Sequence, residues 1–472
     1  MDALDSIEFK NADIEQAISS MAMRSTRLHP AAQRYAEHAA RTYATNSSAL
    51  KPVPGVWVVQ RQSPNALWEM LAWGRRYESL SAATRELRLL RMGSVVGRAD
   101  SDDDRAAAAI AAYVTAFGAA GHWPHPRSEP FELGPCEGIE RARVLEVGLF
   151  DGSVRVLFDG TPQQAQRRYD EYGRDAIAEL ARRDDARPGR ACGECKVMDR
   201  CDAVARITGM LGVDAPAAPL RTTSISDLRY YRTCPAQSYM YSIHLPRISE
   251  YSPEAVLGQA VHRWLEDIHA SGDPVCTPEQ MSSDIAPWSA GQWKIGGDEA
   301  ALGSAMLRNH VGMCPFTAGA AITKIRTEPT LSFFDPAAQT VVIAKPDLLY
   351  CEDDGWVWRE TKTTQRTSKA EGDELLESYP QLALAVVVLS GGALGGRADT
   401  SRVELELLRP DGAELHLIDP SDPERAAYAR RVLRELATPW RLDEQFDPRP
   451  TKACRWCPVS RWCPSSPVTQ YE

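Results

Sequence analysis

Residues 345–364 read KPDLLYCEDDGWVWRETKTT, and the fold turns on how this stretch is read. Two apolar runs, LLYC and WVW, flank the polar Asp353, Asp354 and Gly355, which is the pattern of two strands joined by a tight turn. Successive side chains alternate between the faces of a strand, so Glu360 and Lys362 share one side and Thr361 points to the other. Asp347 precedes the first run, and the hairpin can carry it to the same sheet edge. A lone E-x-K on a strand is more often a solvated surface pair than a site. Asp347 upstream, His262 on its helix and the cysteines that bracket the stretch together lift this one above that reading.

Metal-dependent phosphodiester chemistry needs carboxylates to hold divalent ions and a group that handles water and offsets phosphate charge. Asp347, Glu360 and Lys362 are such a set. The chain around them has 472 residues, 43% hydrophobic and 25% charged, enough for a large core and for more than one domain. No run approaches the roughly 18 to 20 apolar residues of a membrane helix. The opening MDALDSIEFKNADIEQ is acidic and polar, unlike a signal peptide, so the expected location is cytoplasmic with no membrane partner. With a formal net charge of -10, a nucleic-acid partner has to be met by a local basic groove. Arg221, Arg229, Arg232, Lys324, Arg326, Lys345, Arg366 and Lys369, interleaved with Tyr230, Tyr231 and Tyr239, are the candidates for phosphate contact and base stacking on single strands. There is no G-x-x-x-x-G-K-[ST], hence no P-loop motor in this sequence.

Two distant segments resemble each other. RARVLEVGLFDGSVRVLFDG from Arg141 and SRVELELLRPDGAELHLIDP from Ser401 each read as strand, Asp-Gly turn and strand; a helical stretch follows, then ACGECKVMDRC ending at Cys201 or ACRWCPVSRWC ending at Cys463. Upstream, residues 67–91 have the layout of residues 341–364, with Arg85-Glu86-Leu87-Arg88 over Arg359-Glu360-Thr361-Lys362, and an Ala-rich helix follows each. The reading is two copies of one α/β unit: residues 1–212, an Ala-Pro-rich linker at 213–223, and residues 224–472. Six of the eleven cysteines lie in the two C-x2-C-x5-C groups, which suits metal or cluster ligation in a reducing compartment better than disulfides. With Cys234 far upstream, Cys454, Cys457 and Cys463 complete a four-thiolate set. Cys192, Cys195 and Cys201 are a second candidate cysteine site, for a cluster or zinc, with Cys136 as the nearest fourth thiol.

K-P-D followed by R-E-T-K resembles the signature of the PD-(D/E)xK nuclease superfamily. GQAVHRWLE at 258–266 resembles the G-x-x-x-H-x-x-L-E helix of its RecB-like branch, and TSISDLRYYRTCPAQSYMY at 223–241 is similar to the opening of AddB-type and CRISPR-associated RecB-like nucleases. The resemblance spans residues 223–464. It implies a restriction-endonuclease-like mixed sheet flanked by helices, here in two copies, degenerate first and catalytic second. Asp347 and Glu360 would hold Mg or Mn with His262 as an additional ligand; Lys362 would position or deprotonate the attacking water, and Gln381 would complete the catalytic set from the next helix. In that motif Ala385 stands where the family has tyrosine, which puts the helix's role in doubt. His262 outside this context would read as an ordinary helix histidine. The resemblance also implies a 4Fe-4S cluster on Cys234, Cys454, Cys457 and Cys463, with zinc as the alternative.

In the first copy Arg75 or Arg76 stands in the aspartate's place and Arg88 in that of Lys362. An arginine there repels a metal and cannot act as a base. Residues 1–212 therefore read as noncatalytic. The implied function is a DNA nuclease of repair, recombination or antiviral defence, acting alone or with a helicase or defence-complex partner. The alternative is a noncatalytic DNA-binding or scaffold subunit of such a complex.

Overall fold

In the computed structural model the 345–364 stretch forms the expected hairpin: Leu348–Glu352 pairs antiparallel with Gly355–Thr363, from Glu352 opposite Gly355 to Leu348 opposite Arg359. Asp353 and Asp354 form the two-residue turn, both at positive φ (48° and 63°), the geometry of a primed hairpin turn that aspartate tolerates. The structure describes residues 2–24, 28–46, 49–63, 66–79, 81–123, 129–135, 138–182, 186–248, 252–271, 274–280, 286–318, 322–365 and 371–466. They fall into two units, one of residues 1–185, 243–248 and 450–472, the other of residues 186–242 and 249–449.

The first unit contains helices α1 (Asp2–Lys10), α2 (Ile14–Arg24), α3 (Pro30–Ala44) and α4 (Asp102–Phe117). Its five-stranded sheet comprises β1 (Lys51–Pro52), β2 (Arg75–Ser79), β3 (Thr84–Arg91), β4 (Arg141–Gly148) and β5 (Val154–Gly160), in that spatial order. All neighbours are antiparallel except β3 and β4, which are parallel and joined through α4. Ser101 and Asp104 form a capping box at the start of α4, and the alanines of that helix pack against Leu87, Val144 and Phe158.

The strands of the second unit include β6 (Arg221–Ser224), β7 (Ile322–Thr327), β8 (Leu331–Asp335), β9 (Thr340–Ala344), β10 (Leu348–Glu352), β11 (Gly355–Thr363), β12 (Arg402–Arg409) and β13 (Gly412–Ile418). The larger sheet runs β7-β10-β11-β12-β13, again antiparallel except for the parallel pair β11 and β12. Its helices include α5 (Ile225–Thr233), α6 (Pro235–Ser242), α7 (Pro253–His269), α8 (Gly297–Val311), α9 (Pro380–Ser390) and α10 (Pro423–Leu442). The crossover between β11 and β12 passes through α9, whose residues Leu382 to Leu389 are all buried, so this short helix is apolar on every side. It packs with Trp358, Leu405, Leu407 and the Leu433 face of α10 in the main core.

These units cut the chain differently from the 1–212, 213–223 and 224–472 division. The first cysteine turn belongs to the second unit, where Cys192 and Cys201 lie beside Met198, Val204, Phe334 and Ile343; residues 450–472 belong to the first unit, where Trp462 is buried against Tyr35 and His38 of α3. Tertiary burial of a few apolar residues decides membership, and no local pattern encodes it. Cys136 lies outside the described residues.

Candidate active site and a second donor cluster

The pairing of Leu348 with Arg359 sets Asp347, one residue before β10, alongside Glu360 on β11. The Thr361 backbone N–H donates to Asp347 Oδ2 at 2.7 Å, which fixes that carboxylate against the strand. Lys362 Nζ donates to Asp347 Oδ2 at 3.3 Å, to Glu360 Oε2 at 3.1 Å and to the Thr361 carbonyl at 2.9 Å. One ammonium thus bridges both acids. Trp358 Nε1–H holds the other Glu360 oxygen at 3.1 Å.

His262 arrives from α7, which Ser252 caps and Pro253 opens. Leu257, Ala260, Val261 and Leu265 form the buried face of this helix. Gly258 faces the end of β11, where an added Cβ would lie 2.8 Å from Thr363 Oγ1. Its missing side chain lets α7 approach the strand, and one turn later His262 Nδ1 lies 3.3 Å from Asp347 Oδ1.

Burial works to raise the Asp347 carboxyl, but the Lys362 charge and the contact with His262 outweigh it and hold the group well below the usual carboxylate range. Glu360 goes the other way: burial, with Asp347 adding to it, holds it above its ordinary value despite Lys362. For Lys362, burial opposes the charge, yet Glu360 and Asp347 raise it above the ordinary lysine value. The ammonium is therefore held protonated, a donor and counter-charge rather than a base. The cluster offers two carboxylates in unlike electrostatic environments, one cation and one imidazole, the kind of perturbed set that marks a candidate site.

Residues 222–464, more than half of the chain, match the family model of the PD-(D/E)XK nuclease superfamily. This chain belongs to the PD-(D/E)XK nuclease superfamily. In a structural comparison it is similar to SSO0001, whose crystal structure is 14% identical over 52% of this chain and 86% of that one with a TM-score of 0.24. No curated protein matches the chain.

PD-(D/E)XK nucleases usually use divalent metals, and the residues fit one. Two carboxylates already converge on a cation, Lys362, and an imidazole nitrogen lies beside one of them. Oxygen donors with one imidazole suit Mg or Mn better than a thiophilic metal. Gln381 stands half-buried in the first turn of α9, and the hydrogen bonds joining His262, Asp347, Glu360 and Lys362 do not include it among the described residues. Glu328 pairs with Lys345 and donates its backbone N–H to the Asp347 carbonyl at 3.2 Å, supporting the loop that carries Asp347.

Part of the expected basic groove serves packing instead. The Arg221 guanidinium lies over the Trp440 and Phe446 rings and donates to backbone carbonyls of residues 440 and 441, and the Tyr231 hydroxyl donates to Asp443 and to the Pro439 carbonyl. Lys324 and Arg326 lie over Trp356. Arg229, Arg232 and Tyr230 are exposed on α5, while Arg366 and Lys369 lie outside the described residues.

A further group escaped the sequence reading. His269, Cys276, His310 and Cys314 are all buried, and their ligand atoms lie within 4.8 Å of one another. H-x6-C and H-x3-C pairs are the sequence trace of it, but neither has the C-x2-C form that draws attention.

Proposed function

We propose that this protein is a metal-dependent DNA nuclease whose active centre is Asp347, Glu360, Lys362 and His262. The observation that carries this reading is the convergence of both carboxylates on the Lys362 ammonium at 3.1–3.3 Å, beside His262. Asp347, Glu360 and His262 would hold Mg or Mn, which when bound supplies positive charge for the phosphate and acidifies a water. Glu360 keeps one oxygen fixed by Trp358 and leaves the other toward the cation. Lys362, kept protonated, offsets charge on the scissile phosphate and orients the attacking water by donating a hydrogen bond. Linear and circular, single- and double-stranded DNA incubated with the purified chain and Mn tests the proposal: cleavage that stops on chelation is expected. A protein that binds DNA but cuts none of these forms would favour the scaffold alternative.

The finer reading is a RecB-like nuclease of repair, recombination or defence, with a degenerate first copy that has lost catalysis. Both five-stranded sheets have the same succession of pairing senses, with the single parallel pair bridged by a helix, which supports duplication. The two cysteine turns support it further, because Gly189 and Thr451 each donate a backbone N–H to the first thiol, Cys192 Sγ at 3.3 Å and Cys454 Sγ at 3.2 Å. In the first unit Glu86 is held by Arg88 at 2.7 Å and Arg143 at 2.6 Å, and Arg75 is paired with Asp5 and Glu8, so these residues neutralise one another instead of awaiting a metal. Glu86→Gln is expected to lower stability while leaving the cleavage rate within about twofold of wild type. A large rate loss at unchanged fold would give the first unit a catalytic share.

The iron–sulfur assignment to Cys234, Cys454, Cys457 and Cys463 rests on the sequence pattern, and N–H donation to thiolate sulfur, also made by Arg449 to Cys234 Sγ at 3.4 Å, is the kind of contact that tunes such clusters. An anaerobically purified sample is expected to be brown and to absorb broadly near about 400 nm, and Cys234→Ala to lose the colour. Colourless protein with iron absent would remove the assignment. No helix among the described residues is long and apolar enough to cross a membrane.

A further inference from the structure

We propose that His269, Cys276, His310 and Cys314 bind one zinc ion, a site separate from the nuclease centre and from the C-x2-C-x5-C turns. The His269 ring Nε2 lies 3.4 Å from His310 Nε2, 3.4 Å from Cys276 Sγ and 3.8 Å from Cys314 Sγ. A tetrahedral zinc with Zn–N near 2.0–2.1 Å and Zn–S near 2.3 Å requires edges of about 3.4 Å between two nitrogens and about 3.6 Å between nitrogen and sulfur. The three distances around His269 Nε2 are close to those edges, and all four ligand atoms lie within 4.8 Å of one another, the compass of one four-coordinate ion. A two-iron cluster, with imidazoles on one iron and thiolates on the other, would push each nitrogen farther from both sulfurs.

The elements that carry the donors explain why they meet. His269 ends α7, Cys276 follows a few residues later, His310 lies in the last turn of α8, and Cys314 comes just after it. Helices α7 and α8 pack through Leu257, Leu265, Ala300 and Leu307, so their C-terminal ends come together. All four residues are at most 6% exposed. With all four ligands from the protein and no open position, the site would be structural rather than catalytic.

Its outer shell lies on the nuclease sheet. His310 Nδ1 is 2.7 Å from Glu406 Oε1 on β12, the carboxylate–histidine arrangement that fixes a zinc-bound imidazole. The other Glu406 oxygen accepts from Thr361 Oγ1 at 3.1 Å, and Thr361 lies on β11 between Glu360 and Lys362. Arg359 donates to the Met313 carbonyl, next to Cys314, at 2.8 Å. The ion would therefore brace the reverse face of the strand whose front carries the active centre.

Elemental analysis of the purified full-length chain for zinc and iron tests the proposal, together with a Cys276→Ser, Cys314→Ser variant and a Cys454→Ala, Cys457→Ala variant. About one zinc per chain is expected in wild type and in the Cys454→Ala, Cys457→Ala variant, and none at this site in the first variant. Should the first variant fail to fold, wild-type protein grown with Co2+ decides the matter: the visible bands of tetrahedral cobalt with thiolate ligands are expected, and Cys276 and Cys314 should resist alkylation until a chelator is added. Wild-type protein that holds neither zinc nor cobalt, zinc that disappears with Cys454 and Cys457 instead, or a Cys276–Cys314 disulfide in non-reducing mass spectrometry would each overturn it.

Discussion

Lys362→Ala is expected to reduce DNA cleavage by about a hundred- to a thousandfold, the usual cost of removing a group that stabilises developing charge in a closed site. DNA binding should change little, because one ammonium among many contacts contributes modestly to affinity. The same substitution alters the resting protein. Glu360 and Asp347, side chains 7% and 20% exposed, lose the cation between them. Burial already holds Glu360 above the ordinary carboxylate range, and Lys362 is what draws it back. Without the lysine its proton uptake extends to higher pH, so the variant is least stable above that raised value and gains stability as pH falls through it. Thermal melts from pH 5 to 9, with and without Mn, check this: the deficit against wild type should shrink toward low pH and on adding Mn. Cleavage at wild-type rate by a folded variant would remove Lys362 from the site.

Arg359→Leu is expected to destabilise the second unit by about 3–5 kcal/mol, the range for removing one partner of a buried ion pair. Its guanidinium, 3% exposed, donates to Glu404 Oε2 at 2.6 Å and to the Met313 carbonyl at 2.8 Å, with Glu406 Oε2 at 3.9 Å. Leucine fills the volume but leaves that carbonyl unpaired and two buried carboxylates with less compensation. Arg402 and His310 still serve Glu404 and Glu406, which argues for the lower end of the range. Urea unfolding followed by tryptophan fluorescence measures it, through the burial of Trp356 and Trp358 in the same core. A shift equivalent to less than about 1 kcal/mol would mean that the buried Arg359 pairing contributes little to the stability of this unit.

The front of β11 was legible because its information is local. A two-residue turn between Glu352 and Gly355 sets the register, the register sets Asp347 against Glu360, and alternation sets Lys362 beside Glu360. The hairpins at 75–91 and 348–363 and the helices after them were legible for the same reason. The reverse face was not. His269, Cys276, His310 and Cys314 come from separate segments, and Glu404 and Glu406 look like the polar half of an ordinary alternating strand until β12 is laid parallel to β11. The basic groove failed in part because sequence records that Arg221 and Tyr231 are polar-ended but not that Trp440, Phe446 and Asp443 bury those ends.

The parallel pairing of β11 with β12 also sets an order of events during synthesis. The hairpin of β10 and β11 can close as soon as it is made, since its partners are adjacent; Glu360 and Lys362 are on it and Asp347 immediately precedes it. The other edge of β11 has nothing to pair with until α9 and residues 402–409 have emerged, because a parallel neighbour requires a complete crossover. Glu406, which steadies Thr361 from behind, arrives only then. A nascent chain stalled before residue 402 therefore displays Asp347 and Glu360 on a hairpin that lacks its parallel neighbour, and the cluster gains its support from behind only after most of the second unit has left the ribosome.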